Sequence, residues 1–88
     1  MFKITQSKGF QVKFPNGVTL STQWGTPNYC QNYRKELTGD IESSNCEIAI
    51  WDENNDWITD KILLIDGDVE GYVSVEDWVK IVNLCANY

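Results

Sequence analysis

The fold class of this chain follows from FQVKFPNGVTLSTQW, residues 10–24. Apolar and polar residues alternate on both sides of Pro15-Asn16-Gly17, as in strands with one buried face. Asn-Gly between two such runs predicts a hairpin, because both central residues of a type I′ turn need positive φ. The second run predicts one buried face made of Val18, Leu20, Thr22 and Trp24.

Working outward, residues near Ile4 add a further strand before Lys8-Gly9. Alternation over 46–51 predicts another strand, and Asp52–Asp56 is a polar turn. Trp57 begins the return strand, so residues 46–60 are interpreted as a second hairpin.

A helix is predicted after Ser74, whose hydroxyl suits the N-cap and is followed by two acidic residues in the first turn. Apolar residues recur on one helical face, which consists of Val75, Trp78, Val79, Val82 and Cys85. That face must pack on the sheet. The sequence therefore predicts one α+β domain over residues 1–88, with an antiparallel β-sheet of about four or five strands in two hairpins, packed by one C-terminal α-helix.

Charge is distributed unevenly along the 88 residues, whose net charge is −6. Residues 1–35 carry five basic residues and no acidic one, whereas all 13 acidic residues follow. Two interpretations stay open. The two regions attract each other within the fold, or they form a bipolar surface with one pole for an anion and the other for a basic partner.

Several classes of function are disfavoured by composition. Histidine is absent, which removes the usual general base and the commonest zinc ligand. Neither Cys30 nor Ser21 has an evident activating base, so a non-catalytic protein without cofactor is expected. Cys30, Cys46 and Cys85 have no CxxC spacing, which favours reduced thiols. With no signal peptide and no long apolar run, a cytoplasmic protein without membrane contact is expected.

The first candidate site is QWGTPNYCQN, residues 23–32, beside the basic third of the chain. Glycine permits close backbone approach, asparagine amides donate and accept hydrogen bonds, and aromatic rings offer stacking faces. Such a loop suits a small anionic ring compound such as a nucleotide. Alternatively, the asparagines bind the loop's own backbone. The residues concerned are Trp24, Gly25, Asn28, Tyr29, Asn32 and Arg34.

The second candidate is the acidic, tryptophan-bearing region around Trp51, Asp52 and Trp57. Its carboxylates suit a basic protein surface, and like charges argue against direct nucleic-acid binding. The alternative is a solvated face that keeps the protein soluble. DGDVEGYVSVED, residues 66–77, follows the calcium-loop pattern in part. Because Asp77 replaces the bidentate glutamate and Glu70 is too long for its position, an acidic turn before a helix cap is preferred and no metal is assigned.

Several short motifs are shared with a known group of proteins. The arrangement of these motifs resembles a family of small uncharacterised proteins encoded by bacteriophages and prophages. The motifs are Lys8-Gly9-Phe10, Asn16-Gly17, Ser21, Gly25, Asn28-Tyr29-Cys30, Trp51-Asp52 and Gly71-Tyr72-Val73. The resemblance carries over no catalytic residues. It implies a phage-type accessory protein that binds a host component, including components of antiviral defence.

We therefore predict a non-catalytic protein that binds and inhibits a host protein. The first alternative is a sponge that sequesters a small nucleotide-like signal, and the second is a structural, self-assembling phage protein. Exposed aromatic residues leave a homodimer open.

Overall fold

A computed structural model describes residues 1–6, 8–32 and 40–88. It contains one five-stranded antiparallel sheet in which each strand pairs with its neighbours along the chain. The predicted α+β fold, with an antiparallel sheet and a C-terminal helix, is confirmed. The elements are β1 (Phe2–Thr5), β2 (Gly9–Lys13), β3 (Thr19–Gln23), β4 (Asn45–Trp51), α1 (Thr59–Leu63), β5 (Val69–Ser74) and α2 (Val75–Ala86).

The hairpin between β2 and β3 forms as predicted, but its turn is not type I′. Only Gly17 has positive φ, at 89°. Gly17 donates its N–H to the Phe14 carbonyl at 2.9 Å, and Phe14 donates to the Val18 carbonyl at 2.8 Å. Pro15 explains the difference, because its ring holds φ near −65° and favours a type I turn followed by one left-handed residue.

Asn16 uses its side chain to attach this turn to α2. Its Oδ1 accepts the Val18 N–H at 3.0 Å, and its Nδ2 donates to the Cys85 carbonyl at 2.8 Å. The last carbonyls of a helix lack intrahelical partners. The hairpin turn therefore caps the C-terminal end of the helix.

The predicted second hairpin over residues 46–60 is wrong in its return strand. Only Trp57 pairs with β4, through an isolated bridge to Trp51, and α1 begins two residues later. Thr59 accounts for the change. Its hydroxyl accepts the Ile50 N–H at 2.8 Å and donates to the Asp68 carbonyl at 2.6 Å. A side chain thus replaces the backbone ladder, and β5 pairs with β4 instead.

The helix α2 begins as predicted, with the Ser74 hydroxyl accepting the Asp77 N–H at 3.2 Å. Its buried face agrees with the predicted one in part, since Trp78, Val82 and Cys85 are in or against the core. Ile81 and Cys85 are buried, whereas Val75 and Val79 are 67% and 48% exposed. The helix is rotated so that one flank of its apolar stripe does not reach the core.

The core lies between α2 and one face of the sheet, here called the helix side. Residues that alternate with the core positions form the opposite face, here called the open face. The buried core cluster consists of Val18, Leu20, Cys46, Ile48, Ile50, Ile58, Val73, Ile81 and Cys85.

Neither helix of the described chain has the length or apolar content that crossing a membrane requires.

Candidate functional site

The loop after β3 is held together by its own asparagines. The Asn32 Oδ1 accepts the Gly25 N–H at 3.0 Å and the Cys30 thiol at 2.9 Å. Asn28 donates its Nδ2 to the Trp24 carbonyl at 2.9 Å. These amide groups stabilise the loop conformation, in which Gly25 has φ 71°. The geometry matches the alternative in which the loop's polar groups serve its own backbone.

The two aromatic residues of this loop lie in different places. Trp24 packs against the core on the helix side, with its ring 6.2 Å from that of Phe10. Tyr29 donates its N–H to the Glu47 carboxylate at 2.8 Å, and a Cβ on Gly71 would lie 2.6 Å from the Tyr29 Cβ. Tyr29 therefore packs on Gly71, beside β5, and does not share a stacking site with Trp24.

The basic residues expected beside this loop are placed in part. Lys8 donates its ammonium group to the Thr26 carbonyl, so this cation helps to hold the loop. Arg34 lies outside the described residues. The nucleotide site therefore stays a prediction.

The tryptophan pair at the end of β4 is the second candidate site. The ring centroids of Trp51 and Trp57 are 5.5 Å apart, with an interplanar angle of 47°. Trp51 is half-buried and Trp57 is 50% exposed. The backbone bridge between them keeps the second ring against the first. Both residues were predicted from the sequence as site residues, and their rings are in contact in the structure.

Asp52 organises the turn that joins the two tryptophans. Its carboxylate accepts the N–H groups of Asn54 at 2.8 Å and Asp56 at 3.0 Å. Its own N–H donates to the Asp56 carbonyl at 2.9 Å. This predicted site residue therefore shapes the turn. Glu53 and Asp56 are exposed residues of the same turn, and the Glu53 side chain lies beside Gly17.

A shallow groove lies beside the tryptophan pair and has a volume of about 430 Å³. Besides the two rings, it is lined by Lys3, Gln11 and Asn55. Lys3 pairs with Gln11 in the sheet register, so both side chains lie on the open face. Sequence reasoning missed these two residues. The alternation of residues in the first two strands predicts which face Lys3 and Gln11 share, but nothing in their neighbourhood along the chain indicates that a tryptophan far along the sequence lies beside them.

A second groove, of about 250 Å³, lies on the helix side and is mostly apolar. Three aromatic rings border it, with the centroid of Phe10 6.2 Å from Trp24 and 6.4 Å from Trp78. The Trp78 indole N–H donates to the Thr22 hydroxyl at 2.9 Å, which fixes one wall. The remaining lining residues are Ser43, Asn45, Cys46, Val73, Ser74 and Val75.

The cysteines are free and buried. Burial raises the pKa of Cys46 to about 11, with a further contribution from nearby Cys30. Burial alone raises the pKa of Cys85 to about 11. A thiol needs its thiolate form to act as a nucleophile or a metal ligand. Neither Cys46 nor Cys85 is suited to such chemistry near neutral pH.

The segment resembling a calcium loop has another structure. Residues 69–74 form β5, and Ser74 caps α2, so the backbone does not wrap around an ion. Within residues 1–6, 8–32 and 40–88, no group of three or more acidic or cysteine side chains is placed to hold a metal ion.

Comparison with known proteins yields no relative. No family model, no curated protein and no solved structure matches the chain. The resemblance to phage-encoded proteins therefore stays a prediction from the sequence motifs.

Proposed function

We propose that this protein is a small non-catalytic accessory protein of phage type that binds and inhibits a host protein in the cytoplasm. The observation that carries the proposal is the tryptophan pair, Trp51 and Trp57, held beside an acidic turn. Tryptophan is the residue type most enriched among the energetic hot spots of protein interfaces.

The turn supports this role because it is already ordered. Asp52 accepts two backbone N–H groups, and Asn55 adopts a left-handed conformation with φ 64°. A preordered surface loses less conformational entropy on binding. The tryptophan rings therefore need no rearrangement to serve as anchors.

Charge defines the chemistry of the proposed partner. Glu53 and Asp56 lie in the turn between the two tryptophans and are exposed. Complementary potentials speed association and exclude wrong partners. The part of the partner surface that faces this turn should therefore be basic, with an apolar recess for the Trp57 ring, whereas the part that faces Lys3 in the groove should not be basic. The resemblance to phage-encoded proteins suggests a component of antiviral defence as the target.

The proposal is tested by affinity capture from host lysate with the immobilised protein. The unmodified protein should retain one host protein in stoichiometric amount, and Trp57→Ala should lose it, since the exposed ring is removed while the backbone bridge remains. Tyr88→Ala is the matched control, because Tyr88 is an aromatic residue that is 61% exposed at the other end of the chain. The captured protein should lose activity when the unmodified protein is added.

Retention of no stoichiometric protein would contradict the proposal, as would equal retention by Trp57→Ala. Native mass spectrometry before and after denaturation distinguishes the sponge, which would release a small anionic compound. Light scattering distinguishes the self-assembling protein, which would form a large homo-oligomer.

A further inference from the structure

The strand β1 forms one edge of the sheet, and its hydrogen bonds show which backbone groups face outward. Lys13 donates its N–H to the Met1 carbonyl at 2.9 Å, and the Met1 amino group donates to the Lys13 carbonyl at 3.0 Å. Bonded pairs alternate in an antiparallel ladder, so Lys3 also bonds toward β2. The N–H and C=O groups of Phe2 and Ile4 therefore point away from the sheet.

These outward groups have no hydrogen-bond partner within residues 1–6, 8–32 and 40–88. The other edge of the sheet is different. On β5, Tyr72 has φ 54° at an irregularity in the ladder, and its N–H donates to the Tyr29 carbonyl at 2.9 Å. Bulges and covering loops protect a sheet edge from pairing with other chains. In the described part of the chain, β1 is the edge without such protection.

The side chains of β1 make this edge apolar on one side. Phe2 is 75% exposed and Ile4 is 80% exposed, and both lie on the helix side. The Phe2 ring has its centroid 6.1 Å from Phe10, which borders the apolar groove of that side. Unpaired backbone groups and exposed apolar side chains make an edge a template for another strand, and the charge of Lys3 discourages pairing with a basic one.

The charge of β1 indicates which kind of partner strand can pair with this edge. Lys3 lies between the two apolar residues and projects on the open face. Residues 1–32 contain no acidic residue. Among the described residues, no carboxylate lies within 4 Å of Lys3 or Lys13. The ion pair that the described residues form joins Lys80 to Asp77, which are both in α2. A second copy would bring this basic edge against itself, whereas an acidic partner would complement it.

The geometry points to β-augmentation: the β1 edge binds an extended segment of a partner protein that has apolar residues at alternate positions and Asp or Glu between them. Main-chain bonds to Phe2 and Ile4 supply affinity, and the alternating side chains supply specificity. The apolar residues lie beside Phe2 and Ile4, and the acidic residue between them faces Lys3. This inference rests on β1, which shares Lys3 with the groove beside the tryptophan pair. Ile4→Pro tests it separately, because Ile4 lies on the helix side, away from the two tryptophans.

The test is NMR titration of the isotope-labelled full chain with two short capped peptides, one alternating valine with glutamate and the other valine with lysine. The glutamate peptide should bind about two- to fivefold more tightly, because one exposed complementary charge contact contributes up to about 1 kcal/mol. It should also slow hydrogen exchange at the amides of Phe2 and Ile4.

Ile4→Pro removes an outward N–H without removing a bond to β2, so it should abolish peptide binding while the spectrum of the other strands is preserved. Ile4→Val is the matched control and should bind like the original chain. Lys3→Glu provides a second variant that leaves the backbone unchanged and should reverse the preference toward the lysine peptide.

Three outcomes would overturn the inference. The first is equal affinity for the two peptides. The second is binding that Ile4→Pro leaves intact or that perturbs Trp51 and Trp57 instead of β1. The third is a concentration-dependent dimer that Ile4→Pro dissociates, since a second copy would then occupy the edge.

Discussion

Asn16 joins two parts of the molecule that are 69 residues apart along the chain. One side chain both accepts a bond within the hairpin turn and donates to the end of α2. A buried or half-buried hydrogen bond contributes about 1 kcal/mol, and an unsatisfied partner costs more. Two bonds from one amide therefore make this residue a link between the hairpin and the helix.

We expect Asn16→Ala to lower the free energy of unfolding by about 1–2 kcal/mol, since both bonds are lost. Asn16→Asp keeps the acceptor for Val18 but loses the donor and places negative charge at the helix C-terminus, so it should be no more stable than the alanine variant. Urea unfolding measures both effects. Asn54→Ala, in the exposed turn between the tryptophans, is the control, and an equal loss in that variant would refute the role given to Asn16.

Buried thiols give the stability of the fold a dependence on alkaline pH. In the unfolded chain a cysteine thiol has a pKa of 9.0, whereas burial raises the pKa of Cys85 to about 11. Between these values the unfolded state releases a proton that the folded state keeps. Stability is therefore unaffected below about pH 9 and falls as the pH rises toward 11.

We expect the free energy of unfolding to decrease between about pH 9 and pH 10.5, with Cys85 contributing up to about 2 kcal/mol of the loss. Cys85→Ala should be less stable near neutral pH, because a buried side chain is truncated, but its stability should fall less steeply with pH. Other groups that titrate in this range are common to both proteins. Parallel curves for the two proteins would contradict the prediction.

At the scale of elements, α2 is positioned by what it packs against. Of the face predicted from periodicity, Trp78, Val82 and Cys85 reach the core. Val75 and Val79 do not, and Ile81 is buried although the prediction did not include it. The Trp78 indole bonds to Thr22 and fixes the rotation of the helix over the sheet. The apolar residues of this helix cover a wider arc of its surface than the sheet can contact, so some of them stay exposed.

Because of this rotation, we expect truncation of two side chains on the same helix to change the free energy of unfolding by very different amounts. Ile81→Ala should cost about 2–4 kcal/mol, because it opens a cavity beside the core. Val79→Ala should change stability by less than about 0.5 kcal/mol, because Val79 is half exposed. Chemical denaturation of both variants provides the measurement. Similar losses at the two positions would show that α2 packs in the orientation expected from periodicity.

At the scale of the whole molecule, the net charge is negative, and the described residues form few ion pairs. The net charge is −6 on a body with a longest extent of 33 Å. In the part that the structure describes, the ion pair between Lys80 and Asp77 is 3.9 Å long and joins two exposed side chains. Such a pair contributes little. Repulsion among the carboxylates therefore outweighs the local attractions.

We expect the melting temperature to rise by a few degrees when sodium chloride is increased from low concentration to about 0.15 M, because screening weakens repulsion. Potassium chloride should act equally, which would exclude binding of a specific cation. A melting temperature that falls with salt would support the other interpretation of the charge pattern, in which the basic first third of the chain attracts the acidic remainder.

Local chemistry was sufficient to predict several features of this protein. Alternation predicted β2, β3 and β4, and the Ser74 cap predicted where α2 begins. These features depend on neighbours a few residues apart. The tryptophans named as site residues also meet in the fold, because the bridge between Trp51 and Trp57 closes a short turn.

Contacts between residues farther apart along the chain determined the features that the sequence did not predict. Because Thr59 bonds to Ile50 and Asp68, the segment predicted to be a return strand instead forms a single bridge followed by the helix α1. Sheet pairing brings Lys3 beside the tryptophans and leaves β1 as an open edge. A residue's own neighbours along the chain define its periodicity and its turn chemistry, but the face that becomes buried and the groups that meet depend on how all five strands and α2 pack together.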